Sequence, residues 1–142
     1  MARIVLTNVA VTVGGVDLSD HIASVSLSST YDVIETTAFA GGNVPQAAKD
    51  RVAGLVDNSV TFEFHQDFAA TSVEQTIYPL LGTTAAVTVT PVDGSPIAAT
   101  NPQYQFDALI SEWTPLNGAV GELATASVTW PISGPITKDV TP

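Results

Sequence analysis

Asp17, Asp20 and His21 lie within five residues of one another, a set of oxygen and nitrogen donors that could hold a divalent cation if a turn converged them. The competing reading is a solvated turn in which Asp20 bonds local backbone. His65 and Asp67 form a second constellation, because side chains two apart on a strand share a face and the imidazole could then be a base oriented by the carboxylate. No nucleophile is evident beside them, and an interface or structural pair is the better reading. Asp107 and Glu112 are the residue types that cleave glycosides, but five positions apart on one strand they fall on opposite faces.

The motifs of nucleotide, hydrolase and zinc-protease sites are missing: there is no P-loop, G-x-G-x-x-G, G-x-S-x-G or H-E-x-x-H. With no cysteine, thiolate chemistry, disulfides and Cys-type zinc sites are excluded as well. The expectation is a protein without catalytic residues, cofactor or metal. An architectural role is expected.

Charge narrows the partners. Charged residues make up 13% of the 142, with fourteen Asp and Glu against four Lys and Arg and a net charge of −10. The basic residues are Arg3, Lys49, Arg51 and Lys138, so the interval from Val52 to Thr137 carries none. Gripping DNA or anionic lipid needs cations, which disfavours both, although a duplex could pass nearby without being held. A mean hydropathy of +0.29, with Ser, Thr, Ala and Gly in place of Lys and Glu, suits a protomer whose exterior is largely covered by neighbours. No apolar run reaches membrane-spanning length and the opening MARIVLTNVAV has no continuous apolar stretch, so a cytoplasmic site of synthesis and assembly is expected.

The elements that must position these residues are mostly strands. Val and Thr number eighteen each, and both are β-branched. Ile4–Val13, Gly14-Gly15 and Val16–Leu18 read as a hairpin, followed by a turn at Ser19–His21. From Ile22, Val25, Leu27, Tyr31 and Val33 alternate with Ser24, Ser26, Ser28, Thr30 and Asp32, which predicts a strand with one buried and one polar face. Thr36–Pro45 is a long loop, Gln46–Val52 can form two helical turns, and Val60, Phe62 and Phe64 mark the clearest strand. Ser72-x-x-Gln75 resembles a capping box opening a short helix that Pro79 loosens. Strands over Ala86–Val92, Tyr104–Ile110 and Leu123–Pro131 follow, with residues 134–142 as a flexible or partner-bound tail. The whole of 1–142 reads as a single mainly β domain, a sandwich or barrel-like unit with one or two short helices and a long early loop.

The segments DLSDHIASVSL, DVIETTAFAGG, AGLVDNSVTFEFHQD and VGELATASVTWPISG, in this order along the whole chain, resemble the major tail tube proteins of long-tailed bacteriophages, particularly those of actinobacterial siphophages. The resemblance implies a virion protein that self-assembles into stacked hexameric rings, the conduit for DNA ejection. It also implies as partners a tape-measure protein inside the tube, tail-tip and tail-terminator proteins at its ends, and no membrane. In that family the long early loop reaches a neighbouring subunit or ring. The matching positions run from Glu35 to Asp50 and include Phe39, Gly41, Gly42 and Pro45, with Phe39 either an inter-subunit anchor or folded back over its own core. Asp32 and Glu63, on the polar faces of their strands, are candidate lumen-facing carboxylates, an outer-surface position being the alternative. The competing function is a capsid decoration protein or a tail-fibre-like β-sandwich binding module, which concentrates aromatic and polar side chains on terminal loops. Here the loops are rich in Gly, Ala and Pro.

Overall fold

A computed structural model describes residues 3–39 and 47–141. Seven antiparallel strands are hydrogen-bonded in the order β2-β1-β5-β6-β7-β4-β3. In chain order they are β1 (Ala10–Val13), β2 (Val16–Asp17), β3 (Ile22–Glu35), β4 (Arg51–His65), β5 (Thr84–Thr90), β6 (Gln103–Leu109) and β7 (Thr125–Asp139). One short helix, α1 (Val73–Ile77), runs into a 3-10 turn at Tyr78–Leu80 that contains Pro79. The mainly β class expected from the β-branched composition is what forms.

One strand joins the two halves of the sheet. The first half of β7 pairs with β4, from Thr125 opposite His65 to Pro131 opposite Ser59, and beyond it Ile132 and Ser133 pair with Ala108 and Asp107 of β6. The partner changes at Pro131, whose ring nitrogen has no proton to donate to a ladder. The side chains of both halves close on one core in which Trp130, Phe62, Phe64, Val87, Ala108 and Val128 are buried. Phe62 and Trp130 meet edge to face at 5.8 Å, and Phe64 meets Trp113 the same way at 5.5 Å, the geometry that aromatic quadrupoles favour. Both indole nitrogens are satisfied, Trp130 Nε1 donating to the Glu112 carbonyl at 2.9 Å and Trp113 Nε1 to Glu74 Oε2 at 2.6 Å.

Several expectations shift in detail. The β1–β2 hairpin turns at Gly14 and Gly15, with φ of 60° and 86°, the positive values that a two-residue connection demands and glycine supplies. Its first strand begins only at Ala10, and residues 3–6 make no ladder. Of the helix expected over Gln46–Val52, Gln46 lies outside the described residues, 47–50 are irregular, and Arg51 and Val52 belong to β4. Cross-strand bonds displace it: Thr36 N donates to the Asp50 carbonyl and Asp50 N to Thr37 Oγ1, each at 2.8 Å. The capping box also fails to close, since Ser72 Oγ donates to Asp67 Oδ2 and Gln75 Nε2 to the Phe68 carbonyl. The stretch from Gly134, expected to be a flexible or partner-bound tail, continues β7 as far as Asp139 and pairs with Gln103–Gln105.

Trp130 sits where both half-sheets and the indole-to-carbonyl bond converge, so its truncation removes packing from each. Trp130→Ala is expected to lower the unfolding free energy by about 3–5 kcal/mol, read as a drop in the urea midpoint with little change in slope.

Candidate assembly surfaces

The two margins of the sheet are unequal. β2 is two residues long, whereas β3 is fourteen and pairs only with β4 among the described residues. A short edge is a common protection against unwanted pairing, while a long edge displays a row of unpaired N–H and C=O groups. Part of the corresponding edge of β7 is capped, Thr129 N donating to Glu112 Oε1 at 2.7 Å and Thr125 N to the Asn117 carbonyl at 3.2 Å. For β3 the structure shows no such cover among the described residues.

β3 and β4 also outrun the body. Val25 and Leu27 pack against the core as their alternation predicts, but Tyr31 and Val33 on the same face are 57% and 70% exposed. Their expected burial is therefore a correction. Beyond Ser29 the two strands form an arm with nothing of this chain beneath it. Between the pairs Tyr31–Val56 and Val33–Ala53, β3 advances two residues and β4 three, a bulge that turns Leu55 and Gly54 to one face together. A Cβ on Gly54 would lie 2.9 Å from Ile34 Cδ1 and 3.1 Å from Asp32 Cβ, so a larger residue there would have to displace the end of the Ile34 side chain. Leu55, at 82% exposed, puts one large apolar side chain on the arm's second face as well.

That second face is the polar face of the sheet. Register places Ser24 beside Glu63, Ser26 beside Thr61 and Ser28 beside Ser59, with Ser127 and Thr129 of β7 completing the rows. Thr61 and Thr129 hydroxyls bond at 3.1 Å. Glu63 is exposed on this face, and strict alternation along β3 from Ser24 brings Asp32 to the same side, about 26 Å further along at 3.3 Å per residue. The structure thus gathers both candidate lumen carboxylates on one hydroxyl-rich surface.

The loop candidates lie at the arm's tip. Glu35 ends β3 opposite Arg51, with its Oε1 3.6 Å from the Lys49 ammonium. Phe39 is fully exposed rather than folded back over the core. Asp50 anchors the ladder described above through its backbone. Gly41, Gly42 and Pro45 lie outside the described residues.

The first constellations resolve into a clasp. His21 Nδ1 is 2.8 Å from Asp20 Oδ1, and Nε2 is 2.9 Å from Asp67 Oδ2, which also accepts from Ser72 Oγ at 2.9 Å. Asp67 therefore pairs with His21, not with His65. Serine, histidine and aspartate meet here, but the carboxylate stands between the other two; in a nucleophilic triad the imidazole must be in the middle to take the hydroxyl proton. The connectivity ties the turn before β3 to the start of α1. Asp17 binds Ser19 instead of joining the cluster, and no group of three metal-binding side chains occurs among the described residues. Sequence spacing could not reveal this clasp, because its partners are 46 residues apart.

No protein-family model matches this chain, and no curated protein matches it. Among solved structures, a chain of the 6-fold symmetrised cryo-EM structure of the anti-feeding prophage (AFP) baseplate superposes with a TM-score of 0.61 over 99% of this chain and 98% of that one. The two share a fold. Their sequences are 13% identical, so the likeness lies in the backbone path.

Asp67 is held below its ordinary acidity range, first by the Ala69 amide, then by the Ser72 hydroxyl and His21. A depressed carboxylate contributes stability that is present above its unfolded value of about 3.9 and is lost as pH falls through the folded value. Thermal melts of wild type and Asp67→Asn should differ at neutral pH and converge as pH drops below that range. A constant difference down to the acid limit would count against the clasp.

Proposed function

We propose that this chain is a structural protein of a phage tail or phage-tail-like particle. In this reading copies of it close into hexameric rings, and the rings stack into the tube through which DNA is ejected. The observation that carries the proposal is the fourteen-residue β3 edge, continuous with an arm that exposes Tyr31, Val33 and Val56 on one face and Leu55 on the other. Pairing such edges around a closed ring removes them from solvent. The likeness to a baseplate chain from a 6-fold symmetrised structure supports both the particle type and the ring number.

The partners follow from the same reading: other copies, a tape-measure protein in the channel, and tip and terminator proteins at the ends. Asp32 and Glu63 with the surrounding hydroxyls would line the channel. Such a wall presents hydrogen-bonding groups to water and no cation to a passing phosphate. Its repulsion is confined to within roughly 8 Å at physiological salt. The loop from Glu35 to Asp50, with Phe39 exposed within it, reaches the neighbouring copy. A terminal ring in a baseplate is the closely related alternative that the AFP match favours, and it differs in forming one ring without stacking.

Concentrated wild-type protein viewed in negative stain should show rings or tubes of uniform width. Leu55→Asp and Val33→Asp should abolish them while changing unfolding free energy by no more than about 0.5 kcal/mol, as for other exposed positions. Wild-type protein that stays monomeric at every concentration, even with a tail initiator, would sink the proposal.

A further inference from the structure

A groove of about 670 Å³ runs between the segment before β1 and the start of β3. Ile22, Ala23, Ser24 and Val25 line one wall, and Leu6 to Val9 line the other. Ala23 is the extra residue of a bulge, since Ile22 pairs with Phe64 and Ser24 with Glu63, and all four residues border the groove along the strand. The groove runs beside the β3 edge, where no strand of this chain pairs among the described residues.

The same molecule carries a segment suited to fill it. Arg3-Ile4-Val5-Leu6 is apolar and β-branched, yet it makes no ladder, and Val5 is 81% exposed. Four extended residues span about 13 Å, the length of Ile22–Val25. Charge matches as well: Asp17, Asp20 and Asp93 stand around the groove, while Arg3 is one of four cations in the chain. Since Leu6 forms part of the wall of its own groove and Val5 points into solvent, the occupant comes from elsewhere.

We infer that residues Arg3–Leu6 of one copy add as a strand to the β3 edge of the next, with Arg3 near the acidic rim. Donor and acceptor are different surfaces, so the contact is head-to-tail and propagates from copy to copy instead of ending at a dimer. The inference rests on the assembly reading above and names the surfaces that would meet.

The absence of cysteine makes the test clean. Val5→Cys combined with Ala23→Cys, oxidised under assembly conditions, should give a ladder of covalent multimers on a non-reducing gel. A single band at monomer mobility containing an intrachain bond, or no bond in intact tubes, would overturn the inference. Deleting residues 3–6, or introducing Val5→Asp, should raise the concentration needed for assembly at least about tenfold, with circular dichroism and melting unchanged. Asp93→Lys should weaken assembly in the same direction. If the deletion variant assembles like wild type, the inference falls and the tube reading stands; if wild type never assembles, both fall.

Discussion

The constraint on which the rest depends is that every backbone N–H and C=O must find a partner. β1, β5, β6, the Ser59–His65 half of β4 and the first half of β7 meet it inside the chain, through ladders on both sides or through a side chain such as Glu112, whereas the arm half of β4 is paired on its β3 side alone. β2 is too short to matter. β3 does not meet it, and it is long, strongly alternating and in line with an arm that has left its own core behind. A strand with these properties on a solitary protein is an aggregation site. Placed in a closed assembly, the same edge becomes the joint.

Stability and association are divided between separate parts of the molecule. The buried cluster around Trp130, Phe62 and Phe64 joins both half-sheets, and the His21–Asp67 clasp pins the corner before β3 to α1. The apolar residues of the arm contribute little to that core, being largely solvated. A protomer built this way can fold before it assembles, and the arm can change partners without unfolding the body. The uncharged polar face serves the same division, since its hydroxyls satisfy one another or water without offering a cation to nucleic acid.

Much of this was legible in the residues. Alternation located β4, β5, β6 and the start of β3 because each has one face against a core, and period-two patterning reports that burial directly. It misread Tyr31 and Val33, since alternation shows that a face is apolar but not what covers it. The helix expected near Gln46–Val52 failed because local propensity was overridden by the cross-strand bonds of Asp50 with Thr36 and Thr37. The reach of β7 past Gly134 was hidden by Pro131, Gly134 and Pro135, residues that ordinarily end strands. Alternation puts Asp32 and Glu63 on the polar faces of their strands, and they share one face because β3 runs without an extra residue from Ser24 to Asp32. The Asp67–His21 contact is wholly tertiary.

The central claim concerns the outward amides of β3, and hydrogen exchange measures them directly. In monomeric protein, β3 amides that do not bond β4 should exchange at rates close to those of open chain, while the amides of Ser59–His65 in β4 and of Thr125–Pro131 in β7 that pair with one another remain protected. In assembled protein the same β3 amides should become protected to the level of interior strands. Protection already present in the monomer, or exposure persisting in the assembled particle, would contradict the account.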